Sequence, residues 1–156
     1  RPTIDDTIAF IKKAHAKQYT RGGEPYWTHP LAVMQLLPDD ASEDERHAAL
    51  LHDVLEDTKT TSADLRALGY SDRTIWLVEK LSRPEGPDRP SYMNWIRSIA
   101  ASGDLGLMRI KLADNQHNTV PERVMQMPEN ERGIVDRYAR SMKILRDAIQ
   151  QLEKST

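Results

Sequence analysis

The stretch Ala48-Ala49-Leu50-Leu51-His52-Asp53-Val54-Leu55-Glu56-Asp57 sets one imidazole and three carboxyls beside an apolar run. On a helix, His52 and Glu56 stand four apart and Asp53 and Glu56 three apart, so they share one side. Leu50, Leu51, Val54 and Leu55 imply that the helix is otherwise buried. Four ionisable groups there, with no paired base, are costly to desolvate. A divalent cation removes that cost, because it favours carboxylate and neutral imidazole. Taken alone, Glu56 and Asp57 read as a solvated acidic helix end. For His52-Asp53 following Ala-Ala-Leu-Leu, metal ligation is the stronger reading.

Two further stretches carry chemistry. In Leu107-Met-Arg-Ile-Lys-Leu-Ala-Asp-Asn-Gln-His-Asn118 an apolar stripe ends at Asp114, a carboxylate aimed where the core lies, and Asn118 follows it by one turn. Helix capping is the plainer role for that pair. Helical geometry points Lys111 away from Asp114, toward the surface. In Tyr26-Trp-Thr-His-Pro30, His29 is held in a defined position by the helix-starting Pro30. Other histidines have quieter readings: His15 as packing or support, His47 as solvated, His117 as support for its helix end.

Together these pieces resemble the HD-domain alarmone hydrolases, the hydrolase domains of RelA/SpoT enzymes and their small stand-alone relatives. The likeness runs over about residues 8–125. It includes His15-Ala-Lys-Gln18, Gly23-Glu-Pro-Tyr26, His29-Pro30-Leu31, Ala49 through Thr58, and Ile110-Lys-Leu-Ala-Asp114 with His117-Asn118. The resemblance implies that His29, His52, Asp53 and Asp114 ligate one metal, usually Mn²⁺. Chemically, two imidazoles and two carboxylates admit Mn²⁺, Fe²⁺, Co²⁺ or Zn²⁺. It implies a catalytic acidic pair at Glu56 and Asp57, a nucleoside contact at Asn118, and a substrate contact at Arg21. One departure stands out: where the family carries adjacent basic residues, this chain has Thr20-Arg21. Guanine loses an expected guanidinium partner, so an adenine alarmone, (p)ppApp, is an alternative substrate to (p)ppGpp.

The elements that must position these residues read as helices nearly throughout. Ile4, Ile8, Ile11 and Ala14 line a first helix that Thr3 and Asp6 cap. Residues 18–29 read as a loop, and Pro30 opens a second helix through Leu37. Ser42 with Glu45 caps a third over 43–55. A fourth follows Thr61 and stops at Gly69, and Ser71 caps the next. The Pro- and Gly-rich segment 83–90 reads as a flap rather than a linker. Helices then follow at 91–101, 104–116, near 121–127, and 130–152. The expected fold is all-α, a single HD-type helical bundle over residues 1–156.

Composition narrows the function classes. The 156 residues carry 22 Lys plus Arg against 24 Asp plus Glu, a formal charge of −2, so no bulk electrostatic attraction to a nucleic-acid polymer exists. With no cysteine, thiolate metal sites, disulfides and cysteine nucleophiles are excluded. No apolar run suits a membrane span. The start, Arg1-Pro2-Thr3, is neither Met nor a signal-peptide core, and the cytoplasm is the expected location. The lack of a synthetase-length extension resembles the stand-alone hydrolases. The expected activity is metal-dependent removal of the 3′-pyrophosphate of an alarmone nucleotide. The alternatives are an HD phosphohydrolase for another nucleotide such as NADPH, and a non-catalytic nucleotide sensor. The sequence leaves oligomeric state open.

Overall fold

Hydroxyl caps set where the helices begin. In the computed structural model, which describes residues 1–155, reciprocal capping boxes open α1 (Ile4–Ala14) at Thr3/Asp6, α3 (Glu43–Leu51) at Ser42/Glu45 and α5 (Ser62–Ala67) at Thr61/Asp64. Single side-chain caps from Ser71, Ser91 and Asp104 open α6 (Asp72–Lys80), α7 (Tyr92–Ala100) and α8 (Leu105–Asn118). Each satisfies an N–H that has no partner within its helix. The remaining helices are α2 (Thr28–Gln35), α4 (Val54–Asp57), α9 (Pro121–Met125) and α10 (Ile134–Lys154), with a 3₁₀ turn at Glu129–Glu131. Among the described residues the β-structure consists of one isolated bridge, Tyr19 to Pro25. The all-α expectation holds.

The chain divides into two compact units, Arg1–Ser82 and Arg83–Thr156. In the first, α3 is the central helix, packed by α1, α2 and α6, and α5 packs on α6. Ala48, Ala49, Leu50 and Leu51 are fully buried, so the helix that leads into His52 is the core of its unit. Gly69 ends α5 with φ +96°; its N–H bonds to Arg66 O at 3.1 Å, and the Tyr70 N–H to Leu65 O at 3.2 Å. That paired closure needs a left-handed residue, which glycine supplies without strain. In the second unit α8 is packed by α10, α7 and α9. It is buried on several faces, and Lys111, Asp114 and Asn115 are buried with its apolar residues.

Several boundaries differ from the expectation. The third helix does not run through to residue 55 but stops at Leu51, and a separate turn, α4, begins at Val54. The second helix starts earlier, at Thr28, and so contains His29. Pro30 sits inside its first turn, where the missing N–H has no helical acceptor to lose. The α8 helix extends to Asn118, and α10 begins only at Ile134.

His47 is not solvated. It is 3% exposed and its Nδ1 lies 2.8 Å from Thr7 Oγ1, which in turn lies 2.7 Å from Tyr70 OH. Its ring meets Tyr70 edge-on at 5.5 Å. Desolvation holds the imidazole below its ordinary pKa of 6.5, against the opposing pull of Glu43 and Asp44.

Candidate metal and catalytic centre

The break between α3 and α4 creates the centre. His52 folds its side chain back so that Nδ1 donates to Ala49 O at 2.7 Å, and the His52 backbone N–H also points to that carbonyl, at 3.5 Å. The oxygen that would have continued the α-helical ladder is taken, so the helix turns at His52-Asp53. A carbonyl only accepts, so Nδ1 carries a hydrogen and the other nitrogen, Nε2, faces the site. Nε2 lies 3.0 Å from Asp53 Oδ2. His52 is 2% exposed, and His29 is equally buried.

His29 arrives from α2. The loop before it is pinned by the Tyr19–Pro25 bridge, by Tyr26 N–H to Gln18 O at 2.9 Å, and by Thr20 N–H to Glu24 O at 2.8 Å. The His29 and His52 rings meet at 71° with centroids 5.3 Å apart. One ligand atom each from His29, His52 and Asp53 fits within a mutual 4.8 Å, the spacing of groups that converge on one cation. Tyr26 OH donates to Asp53 Oδ2. Such outer bonds orient a ligating carboxylate, as the Ala49 carbonyl orients His52.

This donor set fits a divalent cation. An imidazole nitrogen with its tautomer already set and a carboxylate oxygen 3.0 Å away are both electron-rich; they approach so closely only with a proton or a cation between them. The mixed nitrogen and oxygen donors suit a borderline transition metal better than Mg²⁺ or Ca²⁺, which prefer oxygen alone.

Glu56 and Asp57 lie one turn on, on α4, with solvent access. Partial desolvation, followed by the charge of Asp53, raises the Asp57 carboxyl above the ordinary 3.8. Gln18 opposes the shift by donating its Nε2–H to Asp57 Oδ2 at 3.1 Å.

Arg21 lies exposed in the loop of residues 18–27. Thr20 is occupied with the loop itself: its Oγ1 accepts the Glu24 N–H at 3.2 Å.

The structure brings His29, His52 and Asp53 together in the first unit. In the second unit, Asp114 and Asn118 stand together: Asn118 Nδ2 donates to Asp114 Oδ1 at 3.3 Å, and Arg123 donates to Asn118 Oδ1 at 3.4 Å. Lys111 corrects the sequence reading. It is 6% exposed, and its Nζ donates to Asp114 Oδ2 at 2.8 Å, with Trp95 beneath it at 4.3 Å. Residues three apart share a helix face, so the spacing itself carried this signal. Asn115 is fully buried, donating to Tyr92 OH at 2.8 Å and accepting from Ser141 Oγ.

Comparison with known proteins shows the family. The model of the HD domain family matches residues 7–129. A Synechocystis protein described as a probable guanosine-3′,5′-bis(diphosphate) 3′-pyrophosphohydrolase is 36% identical over 118 residues, 71% of this chain and 15% of that protein. The bifunctional (p)ppGpp synthase/hydrolase SpoT of Escherichia coli is 39% identical over 114 residues, 69% of this chain and 16% of SpoT. The chain thus spans about one sixth of the length of these curated relatives. Among solved structures, a metazoan SpoT ortholog described as hydrolysing ppGpp superposes with a TM-score of 0.77 at 22% identity, covering 99% of this chain and 97% of that one. That likeness extends the shared fold to nearly the full length of both.

Proposed function

The chain belongs to the HD domain family, and on that premise we propose that it hydrolyses the 3′-pyrophosphate of an alarmone nucleotide, (p)ppGpp or (p)ppApp. The observation that carries the reading is the facing pair His52 Nε2 and Asp53 Oδ2, 3.0 Å apart beside His29. Mn²⁺ is the proposed metal. Asp114 joins the ligand set on its motif, as Asn118 and Arg21 join the substrate contacts on theirs. The matched motifs run from His15 to Asn118, and residues 1–156 are read as one hydrolase module acting on a small nucleotide in the cytoplasm.

A divalent cation in such a site lowers the pKa of water and draws charge from a phosphoryl oxygen. His29, His52 and Asp53 hold their donor atoms convergent. Water attacks the phosphorus bonded to the nucleotide 3′ oxygen, and the bond from that phosphorus to O3′ breaks. Of the acidic pair, Asp57, held at Oδ2 by the Gln18 amide, takes the proton of the attacking water. Glu56 assists the transfer that protonates O3′. The products are pyrophosphate and the nucleoside 5′-di- or triphosphate.

The test is a panel of ppGpp, pppGpp, ppApp, pppApp and NADPH incubated with the pure protein and Mn²⁺, with products separated by ion exchange. Pyrophosphate release from at least one alarmone is expected. Release of a single phosphate from NADPH with the alarmones intact would assign the site to another nucleotide, and binding without turnover would make it a sensor.

A further inference from the structure

The geometry points to Gln18 as a positioning residue for Asp57, with the sense of its amide set by His15. The inference rests on the catalytic role proposed for Asp57. Gln18 is held on three sides. Its backbone N–H donates to His15 O at 3.0 Å, and its backbone oxygen accepts the Tyr26 N–H at 2.9 Å. Its side chain then bridges two ionisable groups: Oε1 lies 2.8 Å from His15 Nδ1, and Nε2 lies 3.1 Å from Asp57 Oδ2.

Donor and acceptor chemistry allows one arrangement when Asp57 is ionised. A carboxylate only accepts, so the NH₂ end of Gln18 faces it. The carbonyl end then faces His15, and His15 Nδ1 must carry the hydrogen. The remaining nitrogen, His15 Nε2, is buried with no hydrogen-bond partner, and His15 as a whole is 1% exposed. A bare lone pair there is tolerable, whereas a buried N–H without an acceptor is the costlier state. Both ends of the bridge therefore select the same histidine tautomer. His15 is the C-cap residue of α1, so the rigid end of that helix aims the glutamine at the carboxylate on α4.

This role makes a specific use of His15 and Gln18. It fixes one oxygen of Asp57 and leaves the other to act on water. Misplacing a reacting group by about 1 Å costs on the order of a hundredfold in rate. Removing Gln18 should accordingly lower kcat and leave substrate and metal binding in place.

The experiment combines a tautomer measurement with a double-mutant cycle. In the metal-free wild type, at a pH where the ring is neutral, long-range ¹H–¹⁵N NMR should find His15 as the Nδ1–H tautomer. An Nε2–H tautomer overturns the inference without any variant being made. In the Mn²⁺-loaded enzyme, Gln18→Leu should reduce kcat by about ten- to a hundredfold, with KM within threefold and Mn²⁺ affinity unchanged. In an Asp57→Asn background the same substitution should cause no further loss, because the two act as a unit. An equal loss in both backgrounds would mean a merely structural role and overturn the inference. Full activity of Asp57→Asn alone would overturn the assignment of Asp57 itself. A crippled Asp57→Asn beside an unaffected Gln18→Leu would overturn the role of Gln18 only.

Discussion

His52 has two ring nitrogens, and the Ala49 carbonyl decides which of them is left for chemistry. By engaging Nδ1 at 2.7 Å it turns Nε2 toward Asp53 and His29. His52→Ala or Asp53→Ala should therefore weaken Mn²⁺ binding by more than about a hundredfold, beyond the usual effect of losing an outer partner, and abolish turnover. Isothermal titration calorimetry reads the first effect and pyrophosphate release the second; Mn²⁺ held at wild-type affinity by either variant would remove that residue from the ligand set. The acidic pair behaves differently. Glu56→Gln with Asp57→Asn should keep Mn²⁺ and lose on the order of 10²- to 10⁴-fold in kcat, the usual reach of general acid–base catalysis. Base preference is to be tested at position 20. Thr20 spends its hydroxyl on the Glu24 N–H and offers no planar cation to a purine. Such stacking is worth about 1–3 kcal/mol per base. The wild type should handle ppApp at least as well as ppGpp, and Thr20→Arg should shift kcat/KM toward ppGpp; strong guanine preference unchanged by the substitution would show that position 20 does not read the base.

Between elements, the decisive feature is that α3 ends where the His52-Asp53 pair begins. Buried Ala48 to Leu51 anchor the helix, and the turn at His52-Asp53 sets the two candidate ligands side by side at the end of the core. The α8 helix solves a related problem by pairing, since Lys111 and Asp114 are each 8% exposed at the side chain and 2.8 Å apart. Removing one partner of a buried pair leaves the other charge uncompensated, at a cost of about 3–5 kcal/mol. Lys111→Met should lower unfolding free energy by an amount of that order in urea titration, and a variant as stable as wild type would show that Asp114 does not need the lysine. The closure of α5 offers a backbone counterpart. An added Cβ at Gly69 meets Pro2 Cδ at 3.5 Å, an ordinary contact, so the cost of Gly69→Ala comes from its positive φ alone. That cost should be about 1–2 kcal/mol by the same titration.

Across the molecule, pH also acts through a group that none of the proposed chemistry uses. His47 joins α1, α3 and the Tyr70 segment, and its folded pKa lies below 6.5 because burial disfavours the cation. Between the folded and unfolded values the unfolded chain binds more protons, so stability rises with pH. The contribution is complete above about 6.5 and is lost as pH falls toward and through the lower folded value. Urea midpoints measured from pH 8 to pH 5 should fall, and His47→Asn should flatten that slope; an unchanged slope would exclude His47 as its source. The same histidine marks how far the sequence could be read. Helix existence and starts were legible because caps and periodicity are local: Thr3 finds Asp6, and Ser42 finds Glu45, within one turn. His29, His52 and Asp53, which the structure brings together, were legible as members of short motifs. Burial of His47 was not, since Thr7 lies 40 residues away. Nor was the Gln18–Asp57 bond, across 39. Amino-acid order alone determined an all-helical chain with an imidazole and carboxylates gathered at a helix end. Tertiary structure alone decided which nitrogen of His52 faces the site, which carboxylate Gln18 engages and which lysine is buried, because a polar group's partner and its access to water depend on what distant elements pack against it.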